Sequence, residues 1–172
     1  MSISGGLRAR LIKDNLYNVV YDGLEALGWF DSGRSHAAVT VVPEPIDQLT
    51  EILPNKVGIS MENVTEEEIE LGSTLAEHTW VVFIDVMAEG ADLGLELSTD
   101  IRDILRGRIA SIGRDAPVVD ILNLAEATPT SLFTVQIINL EMERDRSNQP
   151  HRRYWWTIGF DVEDSYLGEI DV

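Results

Sequence analysis

Between Glu77 and Ile112 the chain passes from a strand pattern to a helix pattern within a few residues, and that junction narrows the folds open to it. Thr79-Trp80-Val81-Val82-Phe83-Ile84-Asp85-Val86-Met87 is rich in β-branched and aromatic side chains, the composition of a buried or half-buried strand. After the link Glu89-Gly90-Ala91-Asp92, the apolar positions Leu93, Leu97, Ile101, Ile104, Leu105 and Ile112 fall on or near one face of a helix over residues 93–112. A strand that feeds a helix packing back on its own sheet is the unit to which the other elements add strands or cover.

Upstream, Leu7, Leu11, Ile12, Leu16, Val19, Val20, Leu24 and Leu27 keep a 3.6-residue period and predict an amphipathic helix over 7–28. Gly28 is its expected stop, and Trp29-Phe30 are expected to anchor its end against the core. A turn over Asp31 to Ser35 precedes a strand over His36 to Val42. Pro43, Pro45 and Pro54 make the following stretch irregular or edge-like, with a short helical turn through Leu49, Ile52 and Leu53. Val57 to Met61 alternates as a strand does. Thr65-Glu66-Glu67-Glu68 is an acidic run, Ile69 and Leu71 resume the alternation, and Gly72-Ser73 breaks it.

Downstream, Val118 to Leu124 is a short strand candidate, and residues 134–162 form a hairpin with arms Val135–Arg144 and Arg153–Val162. In its second arm Tyr154, Trp156, Ile158, Phe160 and Val162 share one face, and Trp155, Thr157, Gly159 and Asp161 the other. In the first arm the same alternation puts Ile138, Leu140 and Met142 opposite Glu141 and Glu143. Those glutamates are placed to pair with Arg152 or Arg153, at about 0.2–1 kcal/mol per exposed pair. Residues 163–172 read as an acidic tail. No repeat or long linker divides the chain, so residues 1–172 read as one α+β domain. Its two layers are a mixed, mainly antiparallel sheet and two flanking amphipathic helices, closed by the long C-terminal hairpin.

The charge balance, 13 Lys plus Arg against 30 Asp plus Glu for a formal net charge of -17, argues against a groove for nucleic-acid backbone and against an acidic membrane surface. With no cysteine, thiolate nucleophiles, disulfides and cysteine zinc sites are excluded. His36, His78 and His151 fall in three separate elements with no metal-ligand spacing, so no metal and no cofactor are expected. Arg106-Gly107-Arg108 has no phosphate-loop spacing. Met1 to Gly6 lacks the basic-then-apolar pattern of a signal segment and no apolar run approaches a bilayer span, which reads as a cytoplasmic product. No histidine, carboxylate and nucleophile form a catalytic grouping, so the expectation is a non-enzyme.

What remains is a set of candidate contact residues. Asp85 interrupts an apolar strand, where a carboxylate is costly unless paired, and its expected place is the solvated end of one face or a subunit interface. Arg102 and Arg106, with Arg108, make the most basic local patch of an acidic chain and are candidates for salt bridges to a second copy. Trp155 and Trp156 are adjacent and so point to opposite faces of their strand: either one fills the core and the other meets a partner or lies under the tail, or helices or loops cover both faces locally. The polar tip with Arg146, Asn148, His151 and Arg152 is long enough to reach a neighbouring subunit.

The order of these elements carries a resemblance. An N-terminal helix, a strand with a proline-interrupted loop, an apolar strand ending Asp85-Val86-Met87-Ala88-Glu89-Gly90, a helix with Ile101-Arg102-Asp103-Ile104-Leu105 and a closing hairpin resemble the tail terminator and neck (head–tail joining) proteins of long-tailed bacteriophages, from about Leu7 to Val162. The resemblance implies a small α+β fold and a hexameric ring capping the tail tube. It implies contacts with the tail tube protein and the head–tail connector protein, and neither catalysis nor cofactor. DNA would pass through the lumen without specific binding, and the protein would reside in the virion tail or neck after assembly in the host cytoplasm. The acidic stretches around Pro54 to Glu70 and after Val162 depart from the family's layout. A second expectation from charge alone is an acidic DNA mimic that occupies a basic nucleic-acid-binding protein.

Overall fold

The computed structural model describes residues 5–31, 39–46, 55–68, 76–107, 118–145 and 154–166. Helix α1 (Gly5–Ala26) is followed by strands β1 (Thr40–Val42), β2 (Lys56–Glu68) and β3 (Ala76–Ala88). Helix α2 (Ala91–Leu105) and strands β4 (Val118–Leu122), β5 (Ser131–Asp145) and β6 (Tyr154–Tyr166) complete the order. The strands form one sheet in the order β1-β2-β3-β6-β5-β4. Only β1 runs parallel to its neighbour; the other pairs are antiparallel. The expected α+β architecture, a mixed sheet with two helices, is the one observed.

The hydrophobic core lies between one face of the sheet and both helices. Val82, Ile84 and Val86 of β3 and Trp156, Ile158 and Phe160 of β6 are buried against Ile12, Leu16, Val20 and Leu24 of α1 and Leu97, Ile101 and Ile104 of α2. Strand periodicity predicts which β3 and β6 residues point inward, and the register agrees: Val86 faces Trp156, Ile84 faces Ile158, Val82 faces Phe160 and Trp80 faces Val162. Gly94 lets α2 approach this layer, since a Cβ there would overlap the six-membered ring of Trp156.

Helix α1 stops where its sequence says. Gly28 takes φ +73, the Trp29 amide donates to Leu24 O at 3.0 Å and the Gly28 amide to Glu25 O at 2.8 Å, the two bonds of a Schellman motif. Trp29 is buried and donates from Nε1 to Asp100 of α2 at 2.8 Å, tying the two helices. Phe30 stacks on Tyr21, ring centroids 4.8 Å apart.

Several expectations change. Leu7, expected on the apolar face of α1, is exposed, and Arg8 is buried instead. Helix α2 ends at Leu105, and Gly107 with φ +62 closes the turn after it; Ile112 lies outside the described residues. The acidic run 65–68 belongs to β2, and β6 continues to Tyr166, so the start of the expected tail is ladder. In β5, Asn139 (φ +51) and Leu140 stand opposite Phe160 alone, a bulge that shifts the alternation. Ile138 therefore pairs with Asp161 on the face of the glutamates, opposite to Leu140 and Met142. The expected strand over 36–42 is described only from Thr40, and the turn through Leu49 to Leu53 lies outside the described residues, as do Ile69 to Ser73.

Arg8 carries a charge into the core layer. Its guanidinium makes a two-pronged ion pair with Asp164 of β6, Nε and Nη2 facing the two carboxylate oxygens, the Nη2 bond being 2.6 Å. It also lies 3.8 Å from the ring centroid of Phe133. Two helical turns further along, Asn15 accepts from the Leu122 amide at 3.0 Å and donates to its carbonyl at 3.1 Å, completing the outer edge of β4 as a strand would. Two side chains of one helix thus fix α1 across the sheet, at β6 and at β4.

Two mutational outcomes follow. Arg8→Met leaves Asp164 as a buried unpaired charge and should cost about 3–5 kcal/mol, whereas Arg8→Met with Asp164→Leu should recover most of the loss, measured by equilibrium urea unfolding. Gly94→Ala should lower stability by about 1–3 kcal/mol through overpacking against Trp156. Gly90→Ala, where a Cβ meets nothing within 4 Å, should shift the thermal midpoint little.

Candidate interaction face

The second face of the sheet is covered by neither helix. Its side chains fall in rows across the strands. Lys56, Met87 and Trp155 form the first, Asp85, Thr157 and Glu143 the next, and Ser60, Phe83, Gly159 and Glu141 the third. Val81, Asp161 and Ile138 follow. The first row is closed by the chain itself: Ile46, just after β1, is buried with Met87 and Trp155. A Cβ on Gly58 would come 2.6 Å from Glu44 O, so residues 44–46 lie directly on β2 there. Beyond that cover the face carries exposed Glu141 and Glu143 and half-buried Asp85 and Asp161.

Asp85 is the most constrained group on it. Its Oδ1 accepts from Thr157 Oγ1 at 2.8 Å and from Trp155 Nε1 at 3.2 Å. Burial pushes its carboxyl above the ordinary value of 3.8; the two hydrogen bonds act against that shift, and the like charge of Glu62 adds to it. Asp161 accepts from Asn139 Nδ2 at 2.9 Å, so the bulge residue is held by the face it borders.

The structure places the expected contact residues in three groups. Asp85 and Trp155 come together through the Trp155 Nε1 bond. Trp155 is 6% exposed, packed within its own chain, while Trp156 takes the core position. Arg102 lies on α2 and Arg106 caps its end, on the opposite layer: Arg102 reaches Asp103 at 3.4 Å and Arg106 donates to Leu140 O at 3.5 Å. Arg146, Asn148, His151 and Arg152 lie outside the described residues, as does Arg108.

Sequence reasoning missed Thr157 as the partner of Asp85 and Arg8 as the partner of Asp164. The first signal was in reach, since Thr157 lies on the outward face of the second hairpin arm. The second was a charge at the inward phase of two apolar series, Arg8 before Ile12 and Leu16, and Asp164 after Phe160 and Val162. Among the described residues no three His, Asp or Glu side chains are grouped to hold a metal ion, and no helix is long and apolar enough to cross a membrane. The arrangement offers carboxylates and hydrogen-bond acceptors on an open sheet, a surface suited to cationic groups.

Fold and face together define a class: among the described residues, a small α+β domain with one sheet face buried under two helices and the other acidic and without helix cover. No protein-family model matches the chain, and no curated protein matches it. Among solved structures, a chain from the virion of a native gene transfer agent particle is similar, with 16% sequence identity, a TM-score of 0.42, and coverage of 89% of this chain and 96% of that one. A likeness this coarse assigns no function.

The environment of Asp85 has a pH signature. A carboxyl whose folded pKa lies above its unfolded value binds its proton more tightly when folded, so its ionisation removes stability as pH rises from about 4 through the folded value. Asp85→Asn should therefore gain on the wild type as pH rises from 4 to 7, and the difference between their thermal midpoints should shrink at pH 4.

Proposed function

We propose that the protein is a structural component of a long-tailed, phage-type virion. Its subunits form a hexameric ring that caps the tail tube and joins it to the head connector. The observation that carries this reading is the one-sided burial of the sheet: both helices lie on one face, and the other presents Asp85, Glu141, Glu143 and Asp161 outward. Support also comes from the order of elements in the sequence, which resembles tail terminator and neck proteins. Among the described residues no catalytic grouping competes with an assembly role.

An acidic wall suits a ring around a DNA path. It repels phosphate, so the duplex passes without being held. Partners on this reading are further copies of the chain, the tail tube protein and the connector protein, and the site of action is the tail or neck of the virion. The net charge of -17 favours a second reading, an acidic mimic of DNA that occupies a basic nucleic-acid-binding protein.

Native mass spectrometry with negative-stain imaging tests the choice. The ring reading expects a species of six times the 19.2 kDa chain mass, alone or on purified tail tubes. A chain that stays single, leaves tubes uncapped and binds a basic protein with steep salt dependence overturns it in favour of the mimic.

A further inference from the structure

Arg144 of β5 is a cation that its own chain leaves without an anion. Among the described residues it makes no hydrogen bond and no ion pair, and its Nε is shielded from water with no acceptor. The other described arginines each have a polar partner. Arg8 has Asp164, Arg10 has Asp14, Arg102 has Asp103 and Arg106 has the Leu140 carbonyl. Arg144 has aromatic rings instead. It stands opposite Trp156 in the β5–β6 ladder. Its guanidinium carbon lies 5.4 Å from the centroid of that ring and 5.2 Å from that of Tyr154. Trp156 is wedged against Gly94 of α2, so the platform under the guanidinium is rigid. Glu141 and Glu143 of the same strand cannot serve as its partner, because they alternate with Met142 and Arg144 and project from the other face of the sheet. A methionine would stack on the same rings without an unmet donor, so packing alone does not call for a cation here.

We propose that Arg144 receives a carboxylate from a second copy of the chain, supplied by Glu141 and Glu143 on that copy's helix-free face. The proposal deepens the ring reading above and rests on it. A planar guanidinium already fixed on two rings fits a carboxylate in a two-point contact with little further ordering. A duplex would bring many phosphates against a net charge of -17, whereas this protein contact brings two carboxylates. Every further copy carries those two side chains exposed. Arg144 is itself half-buried. Among the described residues no strand flanks β5 beyond Gln136, so it sits at a margin of the sheet. Arginine, tryptophan and tyrosine are also the side chains on which interface energy concentrates. Arg144 lies on the helix side of β5 and the glutamates on the other. The contact therefore joins unlike surfaces, front to back, and such head-to-tail contacts close a ring when the rotation permits.

Charge reversal on the full-length chain tests this by sedimentation velocity. The wild type at low salt should assemble with rising concentration, and about tenfold more weakly at high salt. R144E and E141R/E143R should each lose that assembly while keeping the wild-type circular dichroism. The triple variant R144E/E141R/E143R, in which both sides of the contact are reversed, should regain it. R144M keeps the packing on Tyr154 and Trp156 and removes only the charge, so it guards against a folding defect in R144E. It should assemble about tenfold more weakly than the wild type, and wild-type assembly by R144M overturns the contact. Failure of the folded triple variant to assemble, when each reversal alone abolishes assembly, overturns it as well. So does E141Q/E143Q assembling like the wild type, since the acceptor would then lie elsewhere. R144M that assembles normally but loses affinity for duplex DNA assigns the arginine to phosphate and overturns the carboxylate. All of these leave the ring reading standing if the wild type is hexameric. A wild type that stays monomeric at every concentration and salt, with or without tail tubes, overturns both.

Discussion

Two helices on one side of a six-stranded sheet can bury only one of its faces. That constraint shapes the rest of the molecule. β6 keeps Trp156, Ile158, Phe160 and Val162 on the helix side, whereas β3 is apolar on both faces, with Val81, Phe83 and Met87 on the other, so pairing with β6 decides which set is buried and a one-residue slip would exchange them. The strands are also long, so the opposite face is broad and must be made tolerable in water. The chain does this with carboxylates, a threonine and a glycine set beside half-buried Val81, Phe83 and Ile138, and with one proline-containing segment that closes Met87 and Trp155 where they would otherwise lie bare. The resulting surface is acidic because solubility of an open sheet demands charge, and this sequence supplies chiefly one sign.

The placement of α1 rests on polar contacts to a degree unusual for a core helix. Arg8 pairs with Asp164 beneath the helix and Asn15 pairs with the backbone of Leu122. An apolar stripe alone lets a helix slide or rotate over a sheet at small cost, since hydrophobic burial has no direction. Two side chains with fixed partners, seven residues apart, select one crossing angle and one position along the axis. A buried ion pair contributes little net stability; its contribution here is the choice among packings of similar energy.

Much of the fold was legible in the sequence, and the failures share a cause. The β3 and β6 faces, the α1 stop at Gly28 and the β3–α2 junction followed from periodicity and turn chemistry, which are local properties. The bulge at Asn139 and Leu140 was invisible because alternation counts residues along a strand and cannot see that two of them face one on the partner. Arg8 was missed because its burial depends on Asp164, whose alignment with it is made by the tertiary fold and not by sequence spacing. Asp85 was singled out as out of place in an apolar strand. Its donors Thr157 and Trp155 could be found only once the β3–β6 register was known. At the site, then, the outward carboxylate was readable, and the environment that pushes its pKa upward was not.

The charge balance limits how copies of such a chain can meet. At physiological ionic strength charges farther apart than about 8 Å are largely screened, so a net charge of -17 slows approach without forbidding contact. What it forbids is a contact made of average surface, since two average patches both bring carboxylates and must strip water from them. Contact with another acidic surface is favourable only where a local surplus of cations meets the acidic surplus. Arg102 and Arg106 are engaged with Asp103 and Leu140 in their own subunit, and Arg8 is spent inside the core. The hairpin segment from Arg146 to Arg153 carries the densest remaining run of positive charge in the sequence.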